Sequence, residues 1–264
     1  MDIETTKRAC EAYRFHGQLG LRQHDLRYCD AVRDLDNPDV WSSNKIFSVA
    51  AASADQFKTL MMQVDELFSS LPYRHFVIDP FTPSAFTAYL ALNEYSQHAT
   101  TIQMVLDGKL KQKADSPTLE FHPVKTESDW KTLRELVLED HAEGGRTQGR
   151  RLIEAVTDGI IAGYRAKEGP CQFFIAVLDG SPCAYGSGIS CPNNMGMVED
   201  LFTLPTFRKR GIASAVIAHC VDYCRSNGAS PILIGSHENE PPKHLYNSLG
   251  FEPVCVTHEY IKQL

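Results

Sequence analysis

Basic and small residues are combined in a short run between positions 208 and 213. Arg208, Lys209 and Arg210 are followed by Gly211 and, two residues later, by Ala213. A strand-like segment precedes the run and a helical pattern follows it. The first N–H groups of a helix lack intrahelical partners, and the helix dipole adds positive charge there. Because glycine and alanine let a ligand approach the backbone, this spacing predicts a phosphate or pyrophosphate site.

A second motif near the C-terminal end makes this pattern more specific. Arg208-x-x-Gly211-x-Ala213 after a strand resembles the acyl-CoA-binding motif of the GNAT acetyltransferase superfamily. The later motif is similar to the family's Asn-x-x-Ala-x-x-Leu-Tyr-x-x-x-Gly-Phe signature, and it reads Asn239-x-x-Pro242-x-x-Leu245-Tyr246-x-x-Leu249-Gly250-Phe251. Proline replaces the family's usual alanine at position 242.

The elements expected after residue 118 follow the order of the same family. They are strand, helix, helix, three strands, helix, strand, helix and two strands, the last two at 252–256 and 259–261. Asp179-Gly180 predicts the hairpin turn between two of them. The resemblance therefore covers residues 118–264 and implies the GNAT acyl-CoA N-acyltransferase fold, an α/β fold with a mixed sheet.

An internal repeat with an offset of 156 residues relates the two halves of the chain. The matched positions are strand 45–48 with 201–204, helix 53–71 with 209–227, Ile78 with Ile234 and Tyr95 with Phe251. Residues 40–106 are therefore expected to be a partial, diverged copy of the second half of the fold. This predicts a tandem arrangement, with a degenerate GNAT-like N-terminal domain at 1–110, a polar linker and a catalytic GNAT domain at 118–264.

The first copy lacks the ligand chemistry of the second. At the positions of the phosphate motif it has Ala52, Asp55 and Phe57, and at the position of Tyr246 it has Leu90. A carboxylate would repel phosphate, and a phenylalanine would crowd the helix start. We therefore expect one CoA site per chain, and an N-terminal half that completes the sheet, forms a homodimer or walls the acceptor site.

The family resemblance implies an acetyl-CoA-dependent N-acetyltransferase that transfers the acetyl group directly to a primary amine. Such a transfer needs a base for the amine, a stabilised oxyanion and an acid for the thiolate. In the family, two strands diverge beside the basic turn and the pantetheine arm pairs with one of them. The residues implied to bind acetyl-CoA are Leu201, Phe202, Thr203, Arg208, Lys209, Arg210, Gly211, Ile212, Ala213, Ser214 and Asn239.

Tyr246 matches the family's tyrosine near the CoA sulfur, which implies a general acid. The alternative is an ordinary helix aromatic packed in the core. Asn239 matches a residue that contacts the CoA arm, although an asparagine before a helix is also a common cap.

The proposed general base is Glu199. It lies two residues before Leu201 in a predicted strand, so both side chains are expected on one face and Asp200 on the other. His237 and Glu238 are further candidates for the base. The alternative is that Glu199 only pairs with a basic group.

A basic segment at 144–151 occupies the place of the family's acceptor rim. Arg146, Arg150 and Arg151 could bind an acidic or carboxylate-bearing acceptor there, or Arg150 and Arg151 could form a solvated helix start. The acceptor itself, a small-molecule or peptide amine, is not identified by the sequence.

Composition limits the other functional classes. The net charge of −7 is spread over both halves, which argues against nucleic acid as a partner. The chain has no apolar run of about 18 residues, so no membrane span is expected. Eight cysteines without a Cys-x-x-Cys pair predict reduced thiols in a cytoplasmic protein without a metal site. The alternative function is a non-catalytic acyl-CoA-binding or regulatory module.

Overall fold

The structure, a computed structural model, describes residues 2–111, 118–144 and 150–264, with the backbone alone at 144 and 150–152. The helices of these residues are α1 (Ile3–Gln18), α2 (Ala54–Leu67), α3 (Ser84–Leu92), α4 (Glu127–Gly144), α5 (Arg150–Ala166), α6 (Ile212–Ser226) and α7 (Pro242–Leu249). The strands are β1 (Arg22–Leu26), β2 (Cys29–Arg33), β3 (Lys45–Phe47), β4 (Tyr73–Ile78), β5 (Ser96–Leu106), β6 (Glu120–Pro123), β7 (Cys171–Leu178), β8 (Ser181–Ser190), β9 (Gly196–Thr203), β10 (Ile232–His237) and β11 (Glu252–Gln263).

Local chemistry sets several helix ends. α1 begins after Asp2, whose carboxylate accepts the Thr5 backbone N–H at 2.7 Å. α7 begins at a proline, where a missing N–H does no harm, and ends at Gly250, whose φ of 101° is in the left-handed region. The residues that begin and end these helices can therefore be recognised from the neighbouring sequence.

All described strands join one sheet in the order β1-β2-β3-β4-β11-β5-β10-β9-β8-β7-β6. β9 and β10 are parallel, as are β3 and β4, whereas the other neighbours are antiparallel. The predicted α/β fold with a mixed sheet is confirmed. The two strands predicted at 252–256 and 259–261 are one long strand, β11, because irregularities in its pairing bend it without ending it.

The two halves exchange their last strands at the centre of the sheet. β5 belongs to the N-terminal half but pairs with β10, and β11 belongs to the C-terminal half but pairs with β4. β5 and β11 also pair with each other, which makes the sheet continuous. Residues of the N-terminal half are thereby placed beside the strands that carry the predicted site.

Two clusters of buried side chains cover opposite faces of the C-terminal half. One joins α6 and α7 to the sheet. The other joins α4 and α5 to the sheet and also contains Ala9 and Ala12 of α1. The first helix of the chain thus packs on the same face as α4 and α5, which brings its C-terminal turn close to β9.

The start of α2 is packed with aromatic rings. The Phe57 ring lies 5.0 Å from the Tyr89 ring and 5.6 Å from the Phe86 ring, centroid to centroid. Phe57 is 9% exposed, and Leu90 is fully buried. At Phe57, where the repeat places the counterpart of Ala213, the N-terminal half therefore has an aromatic core.

The eight cysteines are free thiols. Within the described ranges, no helix has the length and apolar content needed to cross a membrane. The same residues contain no group of three or more histidine, cysteine, aspartate or glutamate side chains that could hold a metal ion.

Candidate active site

The basic turn between β9 and α6 has an unusual backbone that the sequence explains. Lys209 has a φ of 63° and Gly211, the N-cap of α6, has a φ of 78°. Only glycine adopts this left-handed conformation without cost. No side chain caps α6, so the positive end of a 15-residue helix is open to a ligand.

Arg208 fixes this turn to the rest of the domain. Its Nε donates to the Thr203 carbonyl at 2.9 Å, and its two terminal nitrogens donate to the Glu143 carboxylate at 2.8 and 2.6 Å. Bidentate pairs of this kind have well-defined geometry. Arg208 therefore ties the turn to α4, and Lys209 and Arg210 are two further exposed cations near the helix end.

β9 and β10 diverge beside this turn. Their parallel pairing covers Gly196 to Val198 on β9 and Ile232 to Ile234 on β10, but both strands continue beyond it. The side of β9 that faces β10 is consequently unpaired over residues 199–203. A ligand with amide groups could pair with this backbone.

A cavity of about 1290 Å³, here called the α6 cavity, opens in front of the turn and the diverging strands. All the predicted acetyl-CoA residues except Asn239 line it, together with Tyr246. The rest of its lining is Asp140, Glu143, Tyr185, Phe207, Val216, Ile217, Glu240, Pro241, Pro242 and Leu245.

Tyr246 is both a core residue and a wall of the α6 cavity. It is 6% exposed and belongs to the cluster under α6 and α7. Burial, with smaller effects of Glu199 and Glu240, raises the pKa of its hydroxyl well above the ordinary value. The hydroxyl therefore keeps its proton at neutral pH, as a general acid requires.

A β-bulge at Asp200 changes the faces of the sheet on which the side chains of Glu199, Asp200 and Leu201 lie. Asp200 has a φ of 54°, and the pairing with β8 slips at this point, so Asp200 and Leu201 together oppose Gly186. Leu201 lies over Gly186, next to a valine of α6. Asp200 accepts hydrogen bonds on the other face from Tyr164 at 2.9 Å. Glu199 and Asp200 therefore share the face of α1 and α5, and the expectation that Glu199 shares a face with Leu201 is wrong.

The electrostatics of Glu199 suit proton transfer. Burial, reinforced by the charge of Asp200, raises the pKa of its carboxyl to about 8, although Lys167 and Lys45 act in the opposite direction. Both lysines have other partners: Lys45 binds Glu259 at 2.7 Å and Lys167 binds a histidine. A carboxyl with a pKa near the working pH can accept and release a proton.

A smaller cavity of about 170 Å³, the Glu199 cavity, lies on this second face. Both halves of the chain contribute to it, with α1 and β3 on one side and α5 on the other. Its lining is Tyr13, His16, Gly17, Leu19, Leu21, Val40, Ser42, Ser43, Lys45, Phe47, Ile160, Gly163, Tyr164, Lys167 and Glu199. No motif in the sequence marks the N-terminal members of this set.

Two further polar residues lie on the wall of the α6 cavity, whereas three of the predicted site residues line a different cavity. Tyr185 donates to Asp140 at 2.8 Å, and burial raises the pKa of Asp140. Sequence reasoning missed this pair on the wall of the α6 cavity. Asn239, His237 and Glu238 line a separate cavity of about 320 Å³. The predicted acceptor rim lies outside the described residues at 145–149, and the side chains of Arg150 and Arg151 are likewise not described.

The comparisons with known proteins agree with one another on the kind of protein that this chain resembles. The Acetyltransferase (GNAT) family model matches residues 130–251. Streptothricin acetyltransferase from Streptomyces lavendulae is 26% identical over 139 residues, which are 52% of this chain and 59% of that protein. The match thus spans less than two thirds of the length of that relative.

Solved structures with low sequence identity share the fold of the whole chain. A GCN5-related N-acetyltransferase from Kribbella flavida superimposes with a TM-score of 0.72 at 12% identity, covering 99% of this chain and 96% of that chain. A tandem GNAT protein from the clavulanic acid biosynthesis pathway has a TM-score of 0.59 at 13% identity, covering 89% and 78%. The family model thus identifies residues 130–251 as an acetyltransferase (GNAT) domain.

Proposed function

We propose that the protein is an acetyl-CoA-dependent N-acetyltransferase that acetylates a primary amine by direct transfer. One observation carries this proposal. The gap between β9 and β10 has the α6 cavity with Tyr246 on one side and the Glu199 cavity on the other. A donor and an acceptor could therefore meet at the gap from opposite faces of the sheet.

The α6 cavity has the features that acetyl-CoA requires. The open N-terminus of α6 and the cations of Lys209 and Arg210 suit its pyrophosphate. The unpaired backbone at 201–203 suits the amide groups of its arm. When bound, acetyl-CoA would supply an acetyl group on a thioester sulfur.

Two residues would then move the protons. Glu199 accepts a proton from the ammonium form of the acceptor, which frees the nitrogen lone pair. The free amine attacks the thioester carbonyl carbon, forming the C–N bond. As the C–S bond breaks, Tyr246 donates its hydroxyl proton to the departing sulfur, and the nitrogen of the new amide gives its second proton to water. Water then returns a proton to Tyr246 and removes one from Glu199, so each transfer from an ammonium releases one net proton.

The two halves have different roles in this proposal. Residues 118–264 form the catalytic domain, and residues 1–110 form a degenerate GNAT-like domain that does not bind CoA. The aromatic packing around Phe57 supports the second assignment, because it fills the helix start at the position that corresponds to Ala213. The N-terminal half instead supplies a strand to the sheet and a wall to the Glu199 cavity.

The test is an assay of thiol release with acetyl-CoA and a panel of primary amines, with products identified by mass spectrometry. Streptothricin belongs in the panel because a relative is named for its acetylation. Amine-dependent CoA release with a mass gain of one acetyl group would support the proposal. Tight acetyl-CoA binding without an acetylated product from any amine would instead favour a non-catalytic acyl-CoA-binding module.

A further inference from the structure

The Glu199 cavity carries groups of both charges on walls from both halves of the chain. Glu199 provides a carboxyl group, whereas Lys167 and Lys45 provide ammonium groups. A cavity for a simple amine would need only the carboxyl side. The two lysines therefore require an explanation of their own.

A buried hydrogen-bond acceptor without a partner lies near the Glu199 carboxyl, although it is not among the residues that line the cavity. Gln103 of β5 is fully buried, and its Oε1 has no hydrogen-bond partner among the described residues. Its Nε2 donates to Thr257 at 3.3 Å. A Cβ placed on Gly235 would lie 3.4 Å from Glu199 Oε1 and 3.6 Å from Gln103 Oε1, so both oxygens border the same point.

An orphaned buried oxygen is costly unless a donor reaches it. The N–H groups of a primary amine are such donors, and the adjacent Glu199 would balance the charge of an ammonium. Gln103 and Glu199 together thus form a site for the amine end of an acceptor. The strand exchange creates it, because Gln103 comes from the N-terminal half.

Lys167 is one of the cations that line the cavity. Its Nζ lies 2.9 Å from His16 Nε2. Burial, together with the charges of Lys167 and Lys45, lowers the pKa of His16 well below its ordinary value, so the imidazole is neutral and accepts this hydrogen bond. His16 and the Tyr164 ring, whose centroid lies 5.4 Å from Lys167 Nζ, are both neutral contacts, and the charge of Lys167 acts on the Glu199 carboxyl. Lys45, by contrast, is held by Glu259 at 2.7 Å.

We infer that the acceptor is a small amine that also carries a carboxylate, an amino acid or a molecule of the same zwitterionic type. Its amine binds Gln103 and Glu199, and its carboxylate binds Lys167. The volume of about 170 Å³ holds roughly six water-sized groups, which suits a small acceptor such as one amino acid. This inference rests on the proposed acetyltransferase function.

The test compares acceptors in pairs that differ only in the carboxylate, such as lysine with 1,5-diaminopentane and ornithine with 1,4-diaminobutane. We expect kcat/KM at least tenfold higher for the amino acid of each pair. Equal or higher kcat/KM for the diamines would overturn the inference while supporting the proposed function.

A lysine variant tests the assigned contact. In Lys167→Met, KM for the amino acid should rise about tenfold or more relative to KM for the diamine, as expected for a lost charge-assisted hydrogen bond. The effect on Glu199, whose pKa Lys167 lowers, is common to both acceptors. Lys58→Met, an exposed position on α2, is the matched control and should change neither. Equal effects of Lys167→Met on both acceptors would contradict the contact.

Calorimetry with the CoA-loaded protein separates binding from chemistry. Binding of amino acids that Lys167→Met weakens, without acetylation of any acceptor, would overturn the proposed function and support the binding inference. If amino acids do not bind but diamines are acetylated, the binding inference would be overturned and the proposed function would be supported.

Discussion

Thr101 of β5 and Thr257 of β11 lie directly opposite each other at the centre of the sheet and are 156 positions apart in the sequence. This is the offset of the internal repeat, so equivalent residues of the two halves pair with each other. On one side of this pair Gln103 enters the active-site region, and on the other Glu259 enters the N-terminal half and binds Lys45 and His75. The exchange therefore makes each half depend on the other.

The first prediction concerns this dependence. A chain limited to residues 118–264 lacks β5, which leaves β10 and β11 without their long shared neighbour. Unpaired edges favour aggregation. We expect the shortened chain to be insoluble or to lack a cooperative thermal transition, and co-expression with residues 1–111 to restore both. A shortened chain that is monomeric and unfolds cooperatively would contradict the prediction.

The second prediction concerns the acid. Tyr246→Phe keeps the ring in the core but removes the proton donor, so kcat should fall by about 10²-fold. The dissociation constant of acetyl-CoA, measured by calorimetry, should change by less than about twofold. Tyr89→Phe in the N-terminal aromatic cluster is the control and should leave kcat unchanged. Undiminished kcat in Tyr246→Phe would remove this residue from the acid role.

The third prediction compares the two ends of α6. Gly211 and Gly228 have φ of 78° and 81° respectively, so a side chain at either position is strained by roughly 1 kcal/mol. Gly211→Glu also places a carboxylate at the anion site, and we expect acetyl-CoA affinity to fall at least 100-fold. Gly228→Glu should lose similar stability without losing affinity. Similar acetyl-CoA affinities of the two variants would exclude an anion site at the start of α6.

The fourth prediction concerns the pH dependence of Glu199. Because the base must be deprotonated, kcat/KM should rise with pH up to about 8. In Glu199→Gln this limb should disappear and the rate should fall by about 10²-fold or more. A pH profile unchanged in the variant would reject Glu199 as the base.

The same pKa has a consequence for stability. The native carboxyl titrates near 8 and the unfolded one near 4.5, so the native state holds a proton between these values that the unfolded state has lost. Stability should therefore decrease as pH rises from about 4.5 to 8. Glu199→Gln should unfold at higher denaturant concentration than the natural protein at pH 8, with a gain of up to about 4 kcal/mol.

The sequence predicts the parts of the site that local chemistry determines. Gly211 must occupy a left-handed turn, and Tyr246 follows a helix start at proline and precedes a glycine cap, so both are recognisable from short motifs. The bulge at Asp200 cannot be recognised from a short motif, because the partner of its carboxylate, Tyr164, lies on a distant helix. The role of Gln103 cannot be predicted from the sequence for a different reason, since no local pattern indicates that β5 pairs with β10.

The last prediction concerns Gln103 itself. Gln103→Met keeps the approximate volume of the side chain and removes both the orphaned oxygen and the bond to Thr257. Stability should change little, because replacing an unsatisfied polar group with an apolar one offsets the lost hydrogen bond. KM for the amine should rise about tenfold while acetyl-CoA affinity stays within about twofold. A residue that only supports the sheet would behave differently: its loss would lower the melting temperature and leave KM unchanged. Measuring both quantities on the full chain therefore distinguishes an acceptor-binding residue from a structural one.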